Sequence, residues 1–385
     1  MTILFWVLVG LIAYAYAGYP LLIMALSATA RPRPAPRILD EADWPSVSIL
    51  IPAYNEERII AAKIENALRA DYPAGKKEII VASESDDGTD AIAARYEGRG
   101  VRVLPSGTRR GKVANLNRAV PHATGEILVL TDANAMFSPD ALRMLVRHFA
   151  DPRVGSVSGR LAYGRAGEAS SAYGEETYWD FEMMMKRASS RLGSLPGANG
   201  SLFALRRGLH RPMSETRGDD FELPIRVILQ GYDSILEPEA VSEEEPSSRY
   251  LDEYRRKVRI INHMVVSALM LLHEAWAGRR WLIAFQLVSH KLNRWAVPFW
   301  LVALLPISLY LWPRGIVYQV AVAAQVLFYL LALAGFLAQT LGSGAPRLLA
   351  LPLYFVVVNS AAFAGVVSRA AGREVRWHKR VDRNT

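Results

Sequence analysis

Apolar residues fall along this chain in three ways, and each predicts a different kind of element. Near the termini they are continuous: Thr2 to Leu26 carries no charge, and apolar stretches recur at about 296–312, 316–341 and 346–368. Each is long enough to cross a bilayer as a helix, which takes about 20 residues. In the middle the apolar residues come in short blocks between polar clusters. Pro45 to Ile51, Glu78 to Ala82, Val101 to Leu104 and Ile127 to Leu130 read as strands, and runs this short without alternation belong to strands buried on both faces. Ile59, Ile60, Ile64 and Leu68 recur at helical spacing after the first block, and further helices are expected at about 91–96 and 113–119. Repeated strand–helix units predict an α/β fold with a doubly wound, mostly parallel sheet and right-handed crossovers. The loops ending its strands then gather on one edge, where open α/β sheets bind their ligands. The third pattern runs from Trp281 to Trp295, where apolar residues alternate with His290, Lys291 and Arg294 after Arg279 and Arg280. It predicts an amphipathic helix lying in a membrane interface.

These patterns divide the chain into an N-terminal transmembrane helix (1–30), a linker (31–45), a catalytic domain (46–278), an interface helix (279–295), C-terminal transmembrane helices (296–370) and a basic tail (371–385). The linker is stiffened by Pro32, Pro34 and Pro36. Composition agrees: of 385 residues, 51% are hydrophobic and 21% charged, a mixture expected when a soluble domain is joined to membrane spans. Ala28-Thr29-Ala30 imitates a signal-peptide cleavage site, but the apolar region before it is too long and opens without Lys or Arg. Arg31, Arg33 and Arg37 follow the first span, so the positive-inside rule puts the domain in the cytoplasm, at an inner or plasma membrane. The net charge of +8 reads as this topology signal, and no aromatic-interleaved basic stripe argues for nucleic acid. One span before the domain and three after it would carry the tail across the membrane, yet Arg369 to Arg383 is basic and belongs inside. The count therefore needs a late re-entrant or interfacial segment, or an exceptional tail. Cysteine is absent, which excludes disulfides, thiolate metal sites and a cysteine nucleophile.

The chemistry is expected where the strand Ile127 to Leu130 runs into Thr131, Asp132, Ala133 and Asn134. Residues i and i+2 share a face, so Asp132 and Asn134 can aim oxygens at one point. A hard-oxygen pair suits a divalent cation that completes its shell with phosphate oxygens and water. Asp and Asn are equally at home in turns and helix caps, so this pair acquires meaning only from its company. A second acidic loop runs from Ser83 to Asp90. Gly111-Lys112 is not a P-loop, because Ser106 stands where the first glycine is required, but it can bring a cation to a phosphate.

Taken together, the motifs resemble family 2 glycosyltransferases with the GT-A fold. PAYNEE after the first strand, the Asp87-Gly88-Thr89 turn, Gly111-Lys112 with Leu116-Asn117, and TDANA are similar to the family's nucleotide-binding half. Pro196 to Ser201 resembles its acceptor-side loop, Gly218-Asp219-Asp220-Phe221 its catalytic acidic motif, and Arg256 to Ile260 its Q-x-x-R-W motif. The flanking spans resemble membrane-embedded synthases of the cellulose, hyaluronan and poly-N-acetylglucosamine kind.

The resemblance implies an inverting transfer from a nucleotide-diphosphate sugar, a UDP-sugar first, to a growing cell-surface polysaccharide. Its alternatives are single addition to a lipid-linked acceptor and a silent nucleotide-sugar-binding partner of a secretion complex. It further implies Mg²⁺ or Mn²⁺ held by Asp132 with Asn134, and Asp220 with Asp219 as catalytic carboxylates. The nucleotide sugar would meet Pro52, Tyr54, Glu56, Asp87, Lys112, Asn117, Arg256, Lys257 and Arg259, and the acceptor Asn199 and Gly200. The implied partners are the nucleotide sugar, the carbohydrate or lipid-linked acceptor, membrane lipid and a secretion or synthase subunit. Four positions depart from the pattern: Ser83 and Asn134 replace aspartates, and Arg256 and Ile260 replace the Gln and Trp of Q-x-x-R-W. Asn134 removes a charge from the metal site, and Ile260 removes the ring that helps processive relatives hold an acceptor terminus.

Overall fold

The structure is a computed structural model, and it describes residues 1–33, 39–163, 171–244, 250–341 and 346–375. In chain order its elements are α1 (Thr2–Thr29), β1 (Val47–Ala53), α2 (Ile60–Arg69), β2 (Lys77–Ser83), α3 (Thr89–Ala94), β3 (Val101–Pro105), α4 (Lys112–Ala119), β4 (Ile127–Leu130) and β5 (Met136–Phe137). Then come α5 (Ala141–Val146), β6 (Val154–Tyr163), α6 (Ser171–Arg191), β7 (Phe203–Arg206), α7 (Asp219–Leu229), β8 (Asp233–Glu244) and α8 (Tyr250–Ala277). The chain ends with α9 (Trp281–Arg314), α10 (Ile316–Thr340) and α11 (Arg347–Ala370).

The strands form one sheet in the order β3-β2-β1-β4-β7-β6-β8-β5. β3, β2, β1 and β4 are parallel neighbours, β7 is antiparallel to β4 and β6, and β8 is parallel to β6. The alternation of strand side chains explains the layering. Val47, Ile49 and Ile51 join Ile79, Val81, Ile127 and Val129 on one face, covered by Ile60, Ile64 and Ala67 of α2 and by Leu142 and Leu145 of α5. Leu50, Ile80, Leu128 and Leu130 face the opposite way, under Val113 and Leu116 of α4 and Leu223 and Val227 of α7. With both faces buried, the strands carry continuous apolar runs, each buried Leu or Ile contributing roughly 1.5–3 kcal/mol. This is the doubly wound, mostly parallel sheet that the pattern predicts.

Five helices among the described residues are long and apolar enough to cross a membrane: α1, most of α8, α9, α10 and most of α11. α1 and α9 run antiparallel, with Tyr14 Oη donating to Ser289 Oγ at 2.9 Å and Asn293 Nδ2 to the Leu11 carbonyl at 3.2 Å, while Phe5 of α1 meets Tyr318, at the start of α10, with ring centres 4.9 Å apart. One boundary is drawn differently by the structure. The separate interface helix at 279–295 is the first part of α9, which continues without a break to Arg314 through a wider π-helical turn at Leu287–Leu292. α8, which the sequence assigns to the catalytic domain, is indeed held there: Ala268, Leu271 and Ala275 pack on Phe221, Ile225 and Ile228 of α7.

The side of the tail also becomes legible. Gly365 of α11 lies against Val258 and Ile261 of α8, and Asn262 Nδ2 donates to the Arg373 carbonyl at 2.9 Å. His263 stands between the Val375 and Thr216 carbonyls, and Thr216 is two residues from Gly218 of the acidic motif. Residues 371–375, after α11, therefore lie against the catalytic domain, and the expectation this packing supports is a tail on the domain's side of a membrane. Tail residues 376–385 and linker residues 34–38 lie outside the described residues.

With no native cysteine, this topology can be mapped with single cysteines and an impermeant thiol reagent on sealed vesicles. Cysteines at Glu97 on the domain and after Thr385 should label from one side, and one at Arg314 from the other. Labelling of the C-terminal cysteine together with that at Arg314 would refute the placement of the tail.

Candidate active site

The first two strand-end loops are stitched to each other before any ligand is considered. β1 ends at Ala53, and Asn55 takes a left-handed conformation, φ 56°. Its amide Nδ2 donates to Asp86, while the Asp86 N–H donates back to Asn55 Oδ1 at 2.9 Å. The Glu56 N–H donates to Thr89 Oγ1 at 2.8 Å, and the Gly88 N–H to Glu57 Oε2 at 3.1 Å. Asp87 accepts from the Thr89 and Glu57 N–H groups at 2.9 and 3.4 Å, so it shapes the turn in which it stands. Pro52, Tyr54 and Glu56 are half-buried along this edge. The Arg109 guanidinium lies 4.0 Å over the Tyr54 ring, bringing the 106–112 loop onto the first.

Lys112 is aimed from below. Glu84, buried at the end of β2, accepts from the Arg110 and Gly111 N–H groups at 3.0 and 2.7 Å. Gly111 has φ 103°, a backbone that L side chains avoid. That turn starts α4 with Lys112, whose Nζ stands 2.7 Å from Asp132 Oδ1 and 3.1 Å from Asp219 Oδ2. Burial opposes the charge on Lys112, but Asp132, Asp219 and Asp220 outweigh it and hold the ammonium above the usual lysine range. Asp219 is raised to about 6, first by its own burial and then by Asp220 and Asp132, against the pull of Lys112. That it stays raised beside an ammonium follows from desolvation exceeding a single ion pair.

Asp132 and Asp219, from the end of β4 and the start of α7, converge on Lys112, and hard carboxylate oxygens of this kind are what Mg²⁺ and Mn²⁺ take. Among the described residues no third acidic or histidine side chain joins them to complete a metal-binding group. Asn134 is exposed, two residues along from Asp132.

On the far side of Asp219, Asp220 meets the 196–201 loop. The Ala198 N–H donates to the Asp220 carbonyl at 2.7 Å. A Cβ on Gly200 would stand 3.2 Å from Asp220 Oδ2, so glycine lets that loop approach the carboxylate. Asn199 is fixed through its backbone N–H to Ser158 Oγ at 2.9 Å, while its side-chain Nδ2 is buried without a hydrogen-bond partner. The remaining expected residues are placed differently. Asn117 exchanges hydrogen bonds with the Met213 backbone at 2.7 and 3.1 Å, which fixes the approach to the acidic motif. Arg256 and Lys257 pair with the buried Glu253 of their own helix at 2.7 and 3.1 Å. Arg259 is half-buried on α8.

Three supports escaped the sequence reading. Glu84 is one, hidden as just another acid in an acidic loop. Glu222, fully buried, ties Arg217 (3.2 Å) to Arg226 (2.7 Å) across the acidic motif. Lys63 is fully buried; its Nζ donates to Thr131 Oγ1 at 2.7 Å and to the Ala135 carbonyl, gripping both ends of the segment that carries Asp132 and Asn134. Burial lowers its pKa to about 7, against Asp132 and Glu244. The signal was present, since Lys63 occupies the i+3 position of the apolar face Ile60, Ile64, Ala67.

Lys63→Met should therefore separate stability from activity. Removing a buried charge offsets the lost hydrogen bonds, so the melting temperature should move by only a few degrees. Turnover should fall about 10-fold as the Asp132 segment loses its anchor, a sensitivity to sub-ångström position expected of catalytic groups. Unchanged turnover would make Lys63 a structural residue only.

Comparison with known proteins agrees with this geometry. Residues 48–213 match the model of Glycosyl transferase family 2, a range that ends before Asp219 and Asp220. A β-monoglucosyldiacylglycerol synthase of Trichormus variabilis is 31% identical over 213 residues, 53% of this chain and 45% of its own. An N-acetylglucosaminyltransferase of Rhizobium sp. is 24% identical over 221 residues, 52% of this chain and 48% of its own. The chain thus spans about half the length of the curated relatives it matches. Among solved structures, the mannosyltransferase PcManGT from Pyrobaculum calidifontis, in complex with GDP-Man and Mn²⁺, superposes with a TM-score of 0.71 at 26% identity, over 96% of this chain and 100% of its own. The chain carries a family 2 glycosyltransferase domain of the GT-A fold, packed on helices long and apolar enough to span a membrane.

Proposed function

We propose that the protein transfers a sugar, with inversion, from a nucleotide-diphosphate sugar to an acceptor presented at the membrane. The observation that carries this reading is the convergence of Asp132 and Asp219 on the Lys112 ammonium, with Asp220 turned the other way toward the 198–200 loop. One edge of the sheet thereby offers a cation-organised place for a diphosphate next to a carboxylate and an opening for a hydroxyl. A UDP-sugar is the first donor to test and GDP-mannose the second, since PcManGT binds it.

Within this reading Tyr54, with Arg109 across its ring, walls the nucleotide edge, and the stitched loops hold that wall in place without ligand. Lys112 neutralises negative charge where the leaving diphosphate develops it, an interaction stronger in the transition state than in the ground state. A divalent ion held by Asp132 and Asp219, with Asn134 at its rim, would supply further charge stabilisation there. Asp220 accepts the proton of the attacking hydroxyl, and Gly200 leaves room for that hydroxyl. Arg259, half-buried on α8, is the guanidinium at the Arg position of the family's diphosphate-binding motif and is assigned to the phosphate on that match. The catalytic side is the cytoplasm, where Arg31 and Arg33 follow α1.

The acceptor reading favours a lipid or lipid-linked molecule. Ile260 offers no ring to stack a polysaccharide terminus, and α7, with Asp220 at its start, packs directly on α8 and α9. Growth of a cell-surface polysaccharide, with a secretion or synthase subunit as partner, is the second reading, favoured by the membrane-synthase arrangement of helices around the domain.

Two substitutions test the assignment on purified protein with a panel of nucleotide sugars, reading released nucleoside diphosphate with Mn²⁺ or Mg²⁺. Asp132→Ala should abolish metal-dependent turnover; near-normal activity with an unchanged metal requirement would sink the metal site. Asp220→Asn should keep nucleotide binding by calorimetry and lose turnover by roughly 100-fold or more, the scale of general base catalysis. A loss of only a few-fold would move the base elsewhere.

A further inference from the structure

The acidic, donor-facing side of the site has a basic counterpart that the mechanism above does not use. α6 and α9 meet beside Asp220, and they bring Lys186 and Lys291 with them. Lys186 lies close enough to Asp220 and Glu182 to feel both carboxylates, and its only hydrogen bond among the described residues is a long one, 3.4 Å, to the Ala198 carbonyl of the acceptor-side loop. Lys291 feels the same two carboxylates, and its Nζ lies 5.9 Å from the ring centre of Phe221, the residue after Asp220.

Charge bookkeeping shows what is missing. Glu182 is buried and spoken for: Arg294 bonds one oxygen, His290 stands 3.5 Å from the other, and together with Lys291 they hold its carboxyl well below the usual range despite the opposing effect of burial. Asp219 and Asp132 are engaged by Lys112. Lys186 and Lys291 thus stand within reach of Asp220 as well as Glu182, beside the Phe221 and Trp295 rings. Both lysines are half-buried, and burial lowers the Lys186 pKa against Glu182 and Asp220; an oxyanion joining them would offset that desolvation. A neutral hydrogen-bond donor without an acceptor, Asn199 Nδ2, sits on the same loop as the Ala198 carbonyl. Two cations and a free donor beside a catalytic carboxylate, at the foot of a helix long enough to cross a membrane, describe half of a binding site for an oxyanion.

We propose that Lys186 and Lys291, with Asn199, form an acceptor subsite for the phosphate of a hydroxyl-bearing phospholipid, which is held so that its headgroup hydroxyl faces Asp220. This rests on the transferase reading and narrows its acceptor class. The hydroxyl oxygen forms the bond to the anomeric carbon, its proton passes to Asp220, and the bond from that carbon to the diphosphate breaks with its electron pair leaving on phosphate oxygen. The lysines contribute no chemistry; they neutralise the phosphate and set its register. Acyl chains would run along α9, so the lysines stand where a headgroup meets its tails.

The test uses the full chain in phosphatidylcholine vesicles containing phosphatidylinositol, phosphatidylglycerol or diacylglycerol, with the active nucleotide sugar and Mn²⁺, and measures both glycolipid formed and nucleoside diphosphate released. Transfer to phosphatidylinositol or phosphatidylglycerol and not to diacylglycerol is expected. Lys291→Gln and Lys186→Gln should raise KM for the phospholipid by roughly 10-fold to 100-fold, the loss of one charge-assisted contact, with KM for the nucleotide sugar unchanged. Lys291→Arg should restore most of the affinity. If the glutamine variants fail to fold, wild-type competition decides: soluble glycerol phosphate should compete with the phospholipid and inorganic phosphate should do so more weakly, since it lacks the hydroxyl arm. Transfer to diacylglycerol or to an oligosaccharide in preference to phospholipid overturns the subsite while leaving the transferase reading intact. Failure to turn over any nucleotide sugar overturns both.

Discussion

The arrangement of the site depends on one ammonium. Lys112 bridges Asp132, at the end of β4, and Asp219, at the start of α7, two segments far apart in sequence. Without a cation between them the two carboxylates would repel across a partly desolvated gap, where like charges are least screened. The surrounding devices serve that geometry. Glu84 and Gly111 set the direction of Lys112, Lys63 fixes the segment of Asp132, and Glu222 with Arg217 fixes the loop before Asp219. Glu84, Lys63 and Glu222 are each a charge buried near the sheet edge, satisfied respectively by backbone N–H groups, by a hydroxyl and a carbonyl, and by two arginines, so the site is preorganised by buried polar groups that hydrophobic packing could have replaced.

This arrangement also explains why the two neighbouring aspartates of the acidic motif differ. Asp219 is the N-terminal residue of α7, 3% exposed, and is committed to the cation. Asp220, one residue on, is turned by about a third of a helical turn and reaches the 198–200 loop instead. A dipeptide of identical residues thereby sends one carboxylate to Lys112 and the other to the 198–200 loop, which under the proposed reading are the donor and acceptor sides. The same polarity extends outward, with acidic groups around Lys112 and basic groups around Asp220, so that a cation-bound diphosphate and an anionic acceptor would each meet an opposite field.

The catalytic half of the fold was legible because its strands are buried on both faces, and burial writes itself as unbroken apolar runs bounded by polar loops. The strand expected at Pro45 to Ile51 appears at Val47–Ala53, shifted by two residues, and Ile127–Leu130 appears where it is expected. The site was legible only as a set of motifs, because Asp132, Lys112 and Asp219 lie far apart in sequence and no local pattern records that they meet. Lys63 shows the limit from the other side. Its place on the apolar face of α2 was visible, but a lysine there reads as an interruption until the carbonyl and hydroxyl beneath it are seen. Asn117 shows another limit, since its amide bonds the Met213 backbone and a motif cannot say which way a side chain points.

The membrane part was the least legible, for a physical reason. Apolar helices that cross a bilayer and apolar helices that lie along a protein–membrane boundary need the same residues, so α8, α9 and α11 satisfy the same length and composition test. What separates them is a handful of polar contacts: Asn262 and His263 fasten α11 to the catalytic loop, while Tyr14, Ser289 and Asn293 fasten α9 to α1. Hydrogen bonds of this kind in an apolar setting cost more to leave unmade than they contribute when made. They therefore decide which helix stays with the domain, although they scarcely alter its hydropathy. His263 touches both the end of α11 and the loop that leads to Asp219, which makes the boundary helices a structural part of the site and not only its anchor.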